Sequence, residues 1–192
     1  MKTTIDPQQI TRYRVLTTRQ KRIGHVTLNL LLAALVFIPF HALWGANVLW
    51  DVIRNSMHWV LLAIFGSFYL HEALHALGFM IFAGVARKSI HIKMNWKIFS
   101  FETECDVPMT ARSYRWSALL PGIVLGVIPA VVSLIYGYGW LAIFSMLALH
   151  CAVSDILQVW VIRDFRHSDM VALILDPTDA GPRDNSDNVA ST

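Results

Sequence analysis

The sequence predicts an all-α integral membrane protein: four transmembrane helices with a short cytosolic β-hairpin between the second and third. Three observations carry this expectation. Of the 192 residues, 55% are hydrophobic and only 15% are charged, a balance too apolar for an ordinary soluble domain. Four apolar stretches are each long enough to cross a hydrocarbon layer of roughly 30 Å, which takes about 20 helical residues. Between the second and third of them, SIHIKMNWKIFSFETE alternates with the period of a strand, with Ile90, Ile92, Met94, Trp96 and Ile98 on one side and His91, Lys93, Asn95 and Lys97 on the other.

Residues 1–25 form a basic segment containing Lys2, Arg12, Arg14, Arg19, Lys21 and Arg22. The first apolar stretch covers 26–50. Both it and its basic leader are long for a cleaved signal peptide, so an uncleaved anchor is expected. The second stretch, 58–83, carries HEALH at 71–75. The third, 116–138, contains Gly122 and Gly126 at a spacing suited to close helix contact, and Pro121 and Pro129 as sources of a kink. The fourth covers 140–162, which closes a membrane domain of 26–162. Residues 163–192 make a cytosolic tail whose end, DPTDAGPRDNSDNVAST, has the composition of a disordered segment. Cys105 and Cys151 offer no disulfide framework.

Orientation follows from the basic residues. With four spans, all but Arg54 of the 16 lysines and arginines fall on one side, which the positive-inside rule makes cytoplasmic. A multi-pass protein of the cell membrane with both termini in the cytosol is therefore expected. The net charge of +3 is accounted for by that topology, and no nucleic-acid partner is needed. Trp44, Trp50, Trp59, Trp116, Tyr138 and Trp140 lie near span ends, as an aromatic belt requires. The partners implied are the lipid bilayer and a membrane-bound substrate; no oligomeric state is read from the residues.

Within these spans stand two carboxylates, Glu72 and Asp155. Lipid cannot solvate such groups, so each must face a partner, a cavity or an ion. On a helix, positions four apart lie one turn above each other, so His71 and His75 project from one face and can grip one metal ion. Glu72 sits about 100° round from His71, close enough to reach a water on that metal without being a ligand. This is the H-E-x-x-H arrangement of zinc peptidases, and a chance match in a chain of this composition has a probability of roughly one in two hundred. A buried polar cluster that only joins neighbouring helices is the bland alternative.

A catalytic zinc takes three protein ligands, and depth selects the third. The centre of HEALH is about 11 residues, roughly 16 Å, from the cytosolic end of its helix near Gly84, and Asp155 is about 8 residues, roughly 12 Å, from the end of its own near Arg163. The second and fourth spans run in the same direction, so Asp155 can face the two histidines. His150 is the second choice, farther out by about one and a half turns and pointing some 140° away from Asp155. A place beside the ligands or the substrate suits it better, as does a plain core position. Gln158 and Cys151 share the face of Asp155 and could orient it.

HEALH in the second of several spans, an aspartate within a later span, and the stretch CDVPMTARSYRWSALLPGIVLGVIPA together resemble the zincin peptidases of prokaryotic membranes, which are related to site-2 proteases. The resemblance covers roughly residues 58–162. It implies zinc held by His71, His75 and Asp155, with Glu72 activating water, and an extended substrate paired to a strand edge such as the predicted hairpin offers. The sequence departs from the site-2 pattern at Ser154-Asp155-Ile156, where that pattern has glycine after the aspartate. The function expected is that of an intramembrane zinc metalloprotease acting on membrane-associated peptides. Two other classes compete with it: a non-catalytic metal-binding scaffold, and a small transporter or proton relay built on the same ionisable groups.

Overall fold

A computed structural model describes residues 17–95 and 100–171. Residues 1–16 of the basic leader, Trp96, Lys97 and Ile98 of the strand pattern, and the polar tail from 172 onward lie outside the described residues.

Helix α1 (Thr18–Trp44) opens on a capping box in which Thr17 and Gln20 satisfy each other's backbone N–H groups. It stops at Gly45, whose φ of 79° lies in the region that favours glycine. A separate helix, α2 (Ala46–Asn55), follows. The first apolar stretch, expected at 26–50, is thus divided, and its membrane-length part begins earlier, at Thr18. The end of α1 is pinned by Trp44, whose Nε1 donates to the Leu134 carbonyl at 3.0 Å while its ring covers Gly137.

Helix α3 (Met57–Ala83) is unbroken and closes at Gly84 in the left-handed region, where the glycine N–H bonds the Phe79 carbonyl. Helix α4 (Ala111–Pro121), a π-helical turn over Gly122–Val127, and α5 (Ile128–Tyr136) form one continuous rod. Pro121 and Pro129 each lack an N–H, which loosens the hydrogen-bond ladder around that turn and explains the wider winding. Helices α6 (Gly139–Cys151) and α7 (Val153–Val161) form the last rod, interrupted at Ala152. Four runs, Thr18–Trp44, Met57–Ala83, Ala111–Tyr136 and Gly139–Val161, are long and apolar enough to cross a membrane. Leu30, Leu35, Ile38 and Phe65 stand exposed on the outer faces of the first two, the kind of surface that lipid would cover.

Small residues let the rods close on one another. A Cβ on Gly126 would lie 2.5 Å from the Leu149 side chain, and one on Gly122 3.1 Å from Ala152, so the π turn sits tightly against the junction of α6 and α7. Val36 and Phe40 of α1 pack with Ala130, Ala142 and Leu149 in one apolar cluster.

Strand β1 (Ile90–Asn95) pairs antiparallel with β2 (Ser100–Cys105), with Ile90 opposite Cys105, Ile92 opposite Thr103 and Met94 opposite Phe101. Those six residues share one face, which is turned toward α3: Phe101 meets Tyr69 edge-on at 5.9 Å. Tyr69 lies about 14 residues, roughly 21 Å, back from the end of α3. The hairpin, expected at the cytosolic membrane surface, therefore reaches alongside the middle of α3, because its inward face is apolar enough to lie on a helix. Beneath its base, Phe79, Cys105, Met109, Tyr114, Ala118, Ile162 and Val171 form a second core.

A second, very short sheet pairs β3 (Met109–Thr110) with β4 (Met170–Val171). The chain after α7 thus turns back onto the start of α4, and the segment read from sequence as a tail from 163 begins with a docked stretch.

Candidate metal centre

The site is built on the middle of α3. Helical spacing sets His71 and His75 on one face with ring centroids 4.9 Å apart, both side chains buried. Ligand atoms of His71, Glu72 and His75 all lie within 4.8 Å of one another, a group able to hold a metal ion.

Asp155 enters from α7. Its Oδ2 stands 3.1 Å from Nε2 of His71 and 3.6 Å from Nε2 of His75. Two donors bound to zinc at about 2.0–2.1 Å in a tetrahedral arrangement are about 3.3 Å apart, so these separations bracket the spacing that zinc requires. The donor set, two imidazoles and a carboxylate, is also one that zinc accepts. The interruption at Ala152 makes a fresh helix start two residues before Asp155, and the partial positive charge of that first turn favours the carboxylate.

Helix α4 holds both halves of the site. His75 donates its Nδ1 proton to the Ser117 carbonyl at 3.1 Å, which leaves Nε2 as the lone-pair nitrogen facing Asp155. The contact is possible because Gly78 lets α3 approach: a Cβ there would lie 2.7 Å from the Cα of Ser117. On the other side, Tyr114 donates its hydroxyl proton to Gln158, and Arg115 Nη2 donates to the carbonyls of Ile162 at 2.6 Å and Phe165 at 2.8 Å. The Arg115 bonds tie α4 to the C-cap of α7 at Ile162 and to the segment that follows it at Phe165, and so fix the helix that carries Asp155.

Glu72 is held from the hairpin. Thr103 Oγ1 lies 2.8 Å from Glu72 Oε2 and 3.0 Å from the Glu72 main-chain carbonyl, donating to both acceptors in a shared geometry. Glu72 is only partly buried, unlike the two histidines.

The structure thus brings together His71, Glu72, His75 and Asp155. It sets His150 elsewhere: His150 Nδ1 bonds Asn29 of α1 at 2.6 Å, on an exposed part of α6. Gln158, read from sequence as a partner for Asp155, is engaged by Tyr114. Thr103, Ser117, Tyr114 and Arg115 were not legible as site residues. For Thr103 alone a weak signal existed, since strand parity sets Phe101, Thr103 and Cys105 on the apolar side of β2.

A family model described as "putative zincin peptidase" matches residues 64–169, more than half of the chain. The chain belongs to that family, whose description points to a peptidase of the zinc-dependent class and implies zinc as the metal. No curated protein and no solved structure matches it.

Proposed function

We propose that this protein is an intramembrane zinc metalloprotease that hydrolyses peptide bonds of membrane-associated substrates. His71, His75 and Asp155 hold the zinc and Glu72 is the general base. The observation that carries the reading is the convergence of Asp155 Oδ2 on Nε2 of both histidines, within runs long and apolar enough to cross a membrane. A carboxylate and two imidazoles converging at such a depth call for a cation.

Zinc, when bound, polarises the scissile carbonyl and lowers the pKa of water. Glu72 takes a proton from the attacking water as its oxygen bonds to the carbonyl carbon. The carboxyl group then hands that proton to the departing amine as the C–N bond breaks. His75, fixed by Ser117, and Asp155, fixed through α7, hold the site in place for this exchange. A transmembrane substrate must unwind locally, because a helix hides its carbonyls, and the hairpin beside α3 offers strand edges on which the unwound segment can pair. With the basic residues gathered on one side, both termini and the mouth of the site face the cytosol of a cell whose plasma membrane holds the protein.

The test compares wild type with Glu72→Gln on a panel of single-span substrates, with fragments identified by mass spectrometry. Wild type yields two fragments from at least one substrate, and Glu72→Gln lowers the rate by roughly 10²-fold or more with its zinc retained. Full cleavage by the variant would sink the mechanism. Absence of cleavage by wild type would favour a metal-binding scaffold, and proton flux in vesicles without peptide product a relay.

A further inference from the structure

Glu72 could have been oriented by its own helix, yet its carboxylate is held from a segment some thirty residues away. Thr103 reaches it from β2, with Oγ1 2.8 Å from Oε2. We propose that Thr103 is the positioning residue of the general base, taking one carboxylate oxygen so that the other, Oε1, is presented for proton transfer. The role rests on the proposed hydrolase reading and adds to it the part played by the hairpin.

Three features make this more than a chance contact. First, Thr103 is fixed by register: it lies opposite Ile92 in the middle of the ladder, where its side chain must take the same face as Phe101 and Cys105. Second, that face is clamped at both ends. Phe101 packs edge-on against Tyr69, three positions before Glu72, and Cys105 lies in the buried cluster that contains Phe79, seven positions after it. The strand is thereby held against α3, with the Thr103 side chain on the face that meets Glu72. Third, the second contact, 3.0 Å to the Glu72 carbonyl, gives the hydroxyl an alternative acceptor on the same residue. The one hydroxyl thus ties the side chain and the main chain of Glu72 together, which fixes the carboxylate relative to its own helix.

The consequence is a link between substrate and base. A hydroxyl on β2 that aims Glu72 makes the hairpin part of the machinery, so a peptide strand that pairs with the hairpin bears on the geometry of proton transfer. Donation to a charged acceptor is the stronger kind of hydrogen bond, and its loss at a reacting group corresponds to roughly tenfold or more in rate.

The test uses the full-length protein in lipid vesicles. Thr103→Val keeps the shape and removes the hydroxyl; Thr103→Ser keeps the hydroxyl. Expected is a fall in kcat of roughly tenfold or more for Thr103→Val, with KM and zinc content unchanged, and restoration to near the wild-type rate in Thr103→Ser. In a Glu72→Gln background, Thr103→Val should cost far less than it does in wild type, because the group it orients is gone. A rise in KM at constant kcat, a loss of zinc or of folded protein, or the same fold-loss in the Glu72→Gln background would make Thr103 a plain structural tie and overturn the role. Equal rates for Thr103→Val and wild type overturn it while leaving the hydrolase reading intact. Cleavage by neither protein removes that reading, and the role falls with it.

Discussion

Gly78 of α3 and Ser117 of α4 meet so closely that a Cβ on the glycine would stand 2.7 Å from the serine Cα and 2.9 Å from its Cβ. The obstacle is backbone and cannot rotate away. This approach also brings the Ser117 carbonyl to Nδ1 of His75, one turn back along α3. Helix packing and imidazole orientation are therefore one feature.

Gly78→Ala should separate α3 from α4. Overpacking of this kind costs about 1–3 kcal/mol, and the displaced Ser117 carbonyl releases His75. Expected are a lower midpoint of thermal unfolding and a zinc affinity reduced by roughly 10–100-fold, the range found when a group that orients a ligand is lost. Thermal unfolding in detergent and zinc titration measure the two effects; unfolding unchanged together with unchanged zinc affinity would mean that α4 does not hold His75.

Protein purified in detergent should hold about one zinc per chain, as three ligands and an open position imply. His71→Ala and His75→Ala should each remove it, because either change leaves a single imidazole at the site. Elemental analysis before and after chelator treatment gives the answer. Zinc undiminished in both variants would exclude the centre drawn on α3.

The parts of this fold that were legible in the sequence are those governed by local periodicity. HEALH reveals its own geometry, since four residues of helix fix the relation of His71 to His75. Apolar length announced the membrane-length helices, and strand alternation announced the hairpin. Even the nearness of Asp155 to the two histidines was within reach, because two helices with the same rise per residue can be aligned by depth. What stayed hidden depends on contacts between distant segments or on a single backbone angle. Nothing in the apolar run around Gly45 distinguishes a turn from continued helix, and only the φ of 79° ends α1 there. Ala152 looks like any helical alanine, yet the interruption there starts the turn that carries Asp155. Thr103 and Ser117 act through a neutral hydroxyl and a main-chain carbonyl, groups with no sequence signature.

The orientation read from the basic residues predicts opposite accessibility for the two ends of α3. A cysteine introduced at Arg54, before α3, should react with a membrane-impermeant maleimide in intact cells, whereas one at Arg87, after it, should react only once the membrane is opened. The native Cys105 is buried and Cys151 half-buried, so their background labelling should be low. The reverse pattern would turn the protein over and move the mouth of the site to the outer face.

The last prediction separates Asp155 from His150, the other candidate drawn from the fourth span. Asp155 Oδ2 approaches both imidazoles, while His150 is bonded to Asn29 of α1. Asp155→Ala removes a donor whose spacing fits a tetrahedral zinc and leaves two neutral imidazoles as the only remaining members of the proposed ligand set. The loss of zinc affinity should therefore exceed the roughly 10–100-fold that follows removal of a merely orienting group. His150→Ala breaks one polar bridge between α1 and α6, worth about 0.5–1.5 kcal/mol, and should change stability slightly while zinc binding stays as in wild type. Asp155→Glu discriminates further: it restores the charge but lengthens the arm by one methylene, so zinc should return with a distorted ligand geometry, visible in the visible-region spectrum of the cobalt-substituted protein. If His150→Ala loses zinc and Asp155→Ala retains it, the depth alignment of α3 with α7 is wrong, and the third ligand lies on α6.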